Sequence, residues 1–448
     1  MDQLLHVLTI IDNWLWGNWL LFVLIGVGIL YTIITGFVQV RHFPYIIRKS
    51  LIEPLMARQG DSQESGSISS FQALCTAIAS CVGSGNIVGV STAVLSGGLG
   101  AIFWMWVAAF VGMATKYGEI ILGLMYREKD EDGAYVGGPM YYIKKGLHAP
   151  WLAVLCAVFM ITQIIGGNFI QSNTISGVMK DSFGVPYLAT GIILVILIFT
   201  ISLGGLKRLA HVTQNLVPIM ATIYVVGGLL IILANITEVP GVLASIVKGA
   251  FGLDAMAGGA AGSMIIAMQK GVARGLYSNE AGEGSAPVIH SAASVSHPAE
   301  QGMTGVIEVF LDTFVICTIT GLVLGVTGVL DSGAPANVIA TYAFASVWPP
   351  LQYLVAISLL LFSSTTLMSQ WYFGFVGLNY LFGRKVAEKF KYVFPLFCVV
   401  GAVAALDLVW TIQDIALGLL TIPNLIAIVI LCPKVRKSSK EFWSTIKD

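Results

Sequence analysis

Charge is what this sequence has least of. Asp, Glu, Lys and Arg make up 11% of its 448 residues, against about a quarter in soluble domains, and that shortage excludes an ordinary water-soluble fold. The 24 basic and 24 acidic side chains cancel to a formal net charge of +0. With no run of lysines or arginines, a nucleic-acid partner is not expected. Cysteine is also sparse: Cys75, Cys81, Cys156, Cys317, Cys398 and Cys432 lie scattered in or at the ends of apolar stretches, without a CxxC pair. They read as small buried packing residues, neither disulfides nor metal ligands. The six histidines, His6, His42, His148, His211, His290 and His297, fall near boundaries or loops and do not cluster, which argues against a metal site or a His-based triad. No nucleophile, metal cluster or converging pair of carboxylates suggests an enzyme.

Hydrophobic residues, at 56% with a mean hydropathy of +0.84, mark instead an all-α polytopic membrane protein in a lipid bilayer. At roughly 20 apolar residues per crossing, about eleven segments emerge, at residues 14–38, 70–96, 101–126, 150–180, 186–204, 212–235, 258–281, 302–330, 350–381, 391–408 and 411–432. The first lacks a basic n-region and a small-residue cleavage site, so it reads as a retained helix, not a signal peptide. Charge sorts the connections. Arg41, Arg48, Lys49, Arg58, Lys144, Lys145, Lys207, Arg208, Arg384, Lys385, Lys389, Lys391, Lys434, Arg436 and Lys437 fall on one side; Lys180 and Lys248 fall on the other, beside Asp181, Glu238, Asp254 and Asp331. The positive-inside rule makes the first side cytoplasmic. The N-terminus is then outside the cell membrane and the C-terminus inside, as an odd number of spans requires.

Setting the first span aside leaves two groups of five. The chain divides into an extra N-terminal helix with a cytoplasmic linker (1–69), a first five-helix repeat (70–235), an external connection (236–257), a second repeat of inverted topology (258–432) and a cytoplasmic tail (433–448). Each repeat opens on a glycine-rich segment: Gly83-Ser84-Gly85-Asn86 with Gly89 in the first, Gly258-Gly259, Gly262 and Gln269-Lys270-Gly271 in the second. Unwound backbone at membrane depth survives only where it lines a cavity or holds a ligand. Half-helix ends there offer amides for a carboxylate and carbonyls for a small cation, and interrupted segments in corresponding positions point to a transporter's site. The plainer alternative is that such glycines let helices pack closely. Gly83-Ser84-Gly85 follows no strand, which excludes a nucleotide-phosphate loop.

A sixteen-residue stretch, Gly97 to Gly112, reads Gly-Gly-Leu-Gly-Ala-Ile-Phe-Trp-Met-Trp-Val-Ala-Ala-Phe-Val-Gly. It resembles the signature of the alanine/glycine:cation symporters, the sodium:alanine transporters. Gly83 to Gly89, Lys116 with Glu119, Gly138-Pro139-Met140-Tyr141-Tyr142, Gly167-Asn168 and Arg274 to Pro287 agree, and the resemblance runs from about residue 14 to 432. It implies the leucine-transporter type of fold, with five-plus-five inverted repeats, broken first helices and one extra helix. It also implies symport of a small neutral amino acid, alanine or glycine, with sodium or protons, and no cofactor beyond the coupling ion. Carried over residue by residue, the amides of Ser84 and Gly85 would bind the substrate carboxylate at a half-helix N-terminus. The side-chain oxygen of Asn86 and the carbonyl of Cys81 would meet a first sodium. The carbonyls of Ala79 and Val82 would meet a second, opposite the hydroxyls of Thr365 and Thr366. Thr76, Ser80, Gly166, Gln171, Gly271, Thr366 and Gln370 complete the implied substrate pocket.

Ser363-Ser364-Thr365-Thr366 equally suits back-bonding to the preceding turn. Gly166, Gly167, Asn168, Gln171 and Asn173 sit midway along the fourth span, where amides need partners or a ligand; binding through Gln171 and packing through the glycines is the expected split. Lys270 and Arg274, with Glu280 and Glu283 following, form a proton relay, a gate or, as expected here, structural ion pairs. Glu308 and Asp312 are coupling carboxylates or partners for the Lys116 region. One departure bears on specificity: family members commonly carry Gly-Trp where this chain has Ser369-Gln370. Losing a tryptophan wall and gaining an amide makes the pocket roomier and more polar, which opens a larger polar substrate such as serine or glutamine. A channel fits the broken inverted repeat poorly, whereas a sensor that binds amino acids without moving them stays open.

Overall fold

The structure is a computed structural model that describes residues 2–56, 68–252 and 260–446. Its principal helices are α1 (Asp2–Leu15), α2 (Asn18–Ile34), α3 (Ser70–Cys81), α4 (Val88–Gly97), α5 (Gly100–Met125), α6 (Pro150–Phe183), α7 (Tyr187–Leu203), α8 (Gly205–Ala234), α9 (Val239–Ala250), α10 (Ala260–Asn279), α11 (Pro298–Val309), α12 (Thr318–Val326), α13 (Leu351–Phe382), α14 (Phe397–Val403) and α15 (Leu406–Thr445). A two-residue antiparallel pair, β1 (Glu128–Lys129) with β2 (Tyr135–Val136), lies in the loop after α5.

Seven of the described helical stretches are long and apolar enough to cross a bilayer, and the bent pair α3 and α4 makes an eighth. These match eight of the eleven expected segments in position. The expected fifth is α7, at 17 residues; the seventh is α10, which begins beside the undescribed residues 253–259; the tenth is split into short turns before α14. The expected external connection contains a helix, α9. Large apolar side chains stand exposed on α7 and α8, among them Ile193, Ile196, Leu230 and Leu233. Water would penalise such a surface, whereas lipid does not.

Around the break the helices are close-packed. α6 lies along α13, and α5 is wedged against α10 and α11. α3 starts on a capping box: Gln72 N donates to Ser69 Oγ at 3.1 Å and Ser69 N to Gln72 Oε1 at 3.0 Å, so its first orphan donors are satisfied. Between α11 and α12 the chain winds one wide π-helical stretch, Phe310–Cys317, inside a continuous span. Such turns are frequent at functional sites because they shift the register of the side chains that follow. Cys75, Cys81, Cys156, Cys317 and Cys398 are buried free thiols and Cys432 is half-buried.

Candidate functional site at the helix break

α3 meets the stretch Ser84–Gly97, a 3-10 turn at Ser84–Asn86 followed by α4, at an angle of 59°. In a continued helix the amide of Gly83 would close onto the carbonyl of Ala79. Instead it donates to Asn86 Oδ1 at 2.9 Å, which leaves the last carbonyls of α3 without their amides. Gly83 is needed there: a Cβ would lie 2.6 Å from Thr366 Oγ1 and 3.0 Å from Gln171 Nε2. The hydroxyl of Thr366, on α13, lies 3.1 Å from Ala79 O, 3.3 Å from Val82 O and 3.1 Å from Phe362 O. A hydroxyl has one proton to give. Carbonyls short of donors, converging with a hydroxyl oxygen, form a hard-oxygen set suited to a small cation.

Ser84 N donates to Gln171 Oε1 on α6 at 3.1 Å, and Gln171 Nε2 reaches Tyr277 OH at 3.4 Å. Gly85 faces the Tyr277 ring, which would meet a Cβ at 3.0 Å. Tyr277 packs on Trp410 with centroids 5.1 Å apart, and the Arg274 guanidinium lies 4.5 Å over Trp410. Arg274 grips Asp414 in a fork, with both N–O distances 2.7 Å. An aromatic and ionic cover thus joins α10 to α15 above Gly85.

The opposite side of the break is anionic. Asn86 Nδ2 donates to Asp312 Oδ1 at 2.6 Å, and Ser278 Oγ lies 3.0 and 2.9 Å from the two Asp312 oxygens. Thr313 Oγ1 donates to Asp312 Oδ2 at 2.8 Å, and Thr320 Oγ1 to Asn86 O at 2.7 Å. Asp312 is fully buried, and among the described residues no Lys or Arg pairs with it. A buried carboxylate without a counter-charge is costly, so either a proton or a cation would stabilise this position.

The second interruption falls at Glu280–Ser285, not within the expected Gly262 to Gly271, which α10 runs through; Gly258 and Gly259 lie outside the described residues. Glu280, Gly282 and Gly284 have φ of 55°, 96° and 91°, left-handed backbone that two glycines make accessible. Buried side chains of α5 hold this loop. Lys116 Nζ donates to Asn279 O at 2.6 Å and pairs with Glu308. Gly282 N donates to Glu119 at 3.1 Å, and Asn424 bridges Glu119 and the Gly282 carbonyl. His290, expected near a loop, is fully buried: Gln301 donates to its Nδ1 at 2.8 Å, so Nε2 carries the proton toward Glu308 at 3.2 Å.

Ala79, Val82, Ser84, Gly85, Asn86, Gln171 and Thr366 therefore meet at the break, with Gln370 one turn beyond Thr366. Other expected residues point elsewhere. Thr365 bonds back to Leu361 O and Phe362 O and reaches Met220 on α8. Cys81 turns its thiol to Ile78 O, while its carbonyl, the group expected to meet a cation, stands at the end of α3 beside the break. Thr76 bonds to Thr213 on α8, although its carbonyl accepts from Ser369 Oγ at 3.3 Å. Ser80 reaches Glu280 at 3.5 Å and so links the two interruptions. Gly166 faces Gln413, and Gly271 packs on Ala101 O and Trp104. The Phe362 carbonyl, Ser278, Thr313, Thr320 and Gln413 were not among the expected site residues. A Ser or Thr on an apolar helix gives the sequence no sign of which neighbour it will face.

Over residues 1–448 the chain matches the model of the sodium:alanine symporter family. It is 39% identical to a protein named sodium/alanine symporter AgcS from Methanococcus maripaludis, over 96% of each chain. A probable sodium/glutamine symporter, GlnT of Bacillus subtilis, is 38% identical over 99% of this chain and 91% of that one. An uncharacterized transporter of Haemophilus influenzae is 42% identical over 98% and 96%. Among solved structures, MhsT in complex with L-phenylalanine is similar with a TM-score of 0.57 and 14% identity, covering 83% of this chain and 90% of that one. An Eremococcus coleocola manganese transporter mutant follows at 0.51, with 12% identity over 81% and 76%. At that identity the likeness is one of fold, and it is with transporters of the leucine-transporter type. The whole-chain match and the full-length relatives together place this multi-pass membrane protein: it belongs to the sodium:alanine symporter family.

Proposed function

We propose that the protein is a secondary active symporter that takes up a neutral amino acid with sodium by alternating access, built as five-plus-five inverted repeats with its N-terminus outside and its C-terminus in the cytoplasm. The observation that carries the reading is the Thr366 hydroxyl set among the carbonyls of Ala79, Val82 and Phe362 at the end of a broken helix. One sodium sits there. A second sits between Asn86 and Asp312, where it neutralises the buried carboxylate. The substrate carboxylate takes the amides at Ser84 and Gly85, with Gln171 turning from acceptor to donor.

Each ligand then holds the same ordered form of the break, so each raises the other's affinity. Rocking of the core against the remaining helices opens the site to the other side, with release of the Arg274–Asp414 cover as one of its steps. Alanine or glycine is the substrate that the family match favours. A larger polar amino acid is the second reading, favoured by the buried amide of Gln370 beside the site and by the name of the Bacillus subtilis relative.

The test is uptake of labelled alanine into proteoliposomes with an imposed sodium gradient, competed by glycine, serine and glutamine. Sodium-dependent accumulation is expected. Binding of these amino acids without any sodium-driven flux would overturn sodium symport in favour of proton coupling or a sensor.

A further inference from the structure

The turn after α2 and the last turns of α15 enclose a cavity of about 330 Å3, lined by none of the residues of the break. Arg41, Arg436 and Lys440 line it together with His42 and Trp443, and no Asp or Glu does. Among the described residues these three cations form no ion pair, whereas Lys49, Arg384 and Lys391 each hold a carboxylate. Glu441, next to Lys440 on α15, is turned to Lys437 at 3.9 Å. Basic side chains gathered on one cavity without a counter-charge favour an anion there.

Its place in the fold says which anion. The cavity lies where two apolar spans end: Ile34 is the last residue of α2, and the apolar run of α15 stops at Cys432, before Pro433 and Lys434. Just above it Ile29 and Ile33 on α2 and Ile426, Val429 and Ile430 on α15 are exposed, as side chains that face acyl chains are. Val429 and Arg436 are seven residues apart, nearly two turns, and so share one face of α15. A headgroup in the cavity therefore has its tails beside apolar side chains of the same helices. The walls are tied together. Tyr31 OH donates to Ile428 O at 2.7 Å and joins α2 to α15. The His42 ring stacks on Trp443 with centroids 3.8 Å apart, and Trp443 Nε1 donates to Tyr117 OH at 3.2 Å.

We propose that this cavity binds the headgroup of an anionic phospholipid, with Arg41, Arg436 and Lys440 on its phosphate and Trp443 at the headgroup level of the bilayer. Basic pockets between spans take such headgroups, and the planar guanidinium donates to two phosphate oxygens at once. Tryptophan is at home at this depth, with its ring against the acyl boundary and its N–H on a polar partner. A free phosphate ion meets the same three cations but gains nothing from the apolar side chains above them, whereas a lipid uses both. Bound there, the lipid joins the turn after α2 to the end of α15.

The experiment is native mass spectrometry of the full chain in a nonionic detergent, titrated separately with dioctanoyl phosphatidylglycerol, dioctanoyl phosphatidylcholine and inorganic phosphate. One phosphatidylglycerol is expected to bind with a Kd about tenfold below that of phosphatidylcholine. In the triple variant Arg41→Gln, Arg436→Gln, Lys440→Gln its Kd is expected to rise about tenfold or more, the effect of removing basic contacts to an anionic headgroup. A control triple, Lys207→Gln, Lys385→Gln, Lys389→Gln, removes the same charge from exposed lysines on the side where the charge pattern sets Arg41 and Arg436, and is expected to change the Kd less than about twofold. The spectrum counts lipid on folded ions alone, so the comparison does not depend on how much of a variant folds. Equal losses in the two triples would reduce the site to diffuse surface charge and overturn it, as would phosphatidylcholine binding as tightly as phosphatidylglycerol. Inorganic phosphate displacing the lipid at a similar concentration would assign the cavity to a free anion and overturn the lipid.

Discussion

Two side chains at the break carry the cation chemistry proposed for it, and they differ in kind. Thr366 contributes one oxygen among carbonyls, whereas Asp312 contributes a full charge held by Asn86, Ser278 and Thr313. Asp312→Asn keeps the shape and removes the charge, so the sodium concentration for half-maximal uptake is expected to rise at least tenfold, roughly the loss of one charge-assisted contact. Thr366→Val is expected to raise it several-fold and to lower its steepness. Thr365→Val is expected to do less, because that hydroxyl only bonds back to its own helix and to Met220. A sodium titration of uptake reads all three, and equal effects of the two threonine changes would remove Thr366 from the ion's shell. The family resemblance singled out Thr366, whereas Asn86 stood out by its place in the glycine break and Gln171 by a cluster of amides midway along a span, where amides need partners. The sequence could not choose between Glu308 and Asp312 for Lys116, since residues four apart share a face on a regular helix. The π turn that starts at Phe310 separates them: Glu308 pairs with Lys116, and Asp312 turns to Asn86.

At the scale of elements, glycine does two different jobs, and only one was legible. Gly83 marks a true break, where a Cβ would strike Thr366 and Gln171. Gly271, in a segment that looks as irregular, is a contact glycine inside α10 that lets α5 approach. Gly100 is of the same kind, since its Cβ would lie 2.3 Å from the backbone of Gly249. The second interruption was instead written in Glu280-Ala281-Gly282-Glu283-Gly284, whose glycines take positive φ. Gly83→Ala is therefore expected to abolish sodium-driven uptake while the thermal midpoint of the purified protein falls little. Gly100→Ala forces backbone apart and is expected to lower stability by about 1–3 kcal/mol, the usual effect of overpacking, read as an earlier thermal transition. A Gly83→Ala protein that transports normally would show that the close approach at the break is incidental.

For the whole molecule, composition and segment length revealed a bundle of apolar helices, because a bilayer leaves few alternatives to the helix. They did not fix how the helices are cut, since the fifth expected segment folds as a 17-residue helix and the tenth as short pieces. Which residues face inward was legible only near the break. The buried ties of α5 to the second interruption, through Lys116, Glu119, Asn279 and Gly282, join elements more than 150 positions apart, and no local pattern announces them. Those ties and the Ser80–Glu280 contact connect the two interruptions physically, so that ligands bound at the proposed sites would act on one ordered assembly. The most direct test of that coupling is equilibrium binding of labelled amino acid to the purified protein across a range of sodium concentrations, together with the converse titration. The amino-acid Kd is predicted to fall as sodium rises, and saturating amino acid to lower the sodium half-saturation by the same factor, as linkage requires. An amino-acid Kd that does not change with sodium would contradict the account.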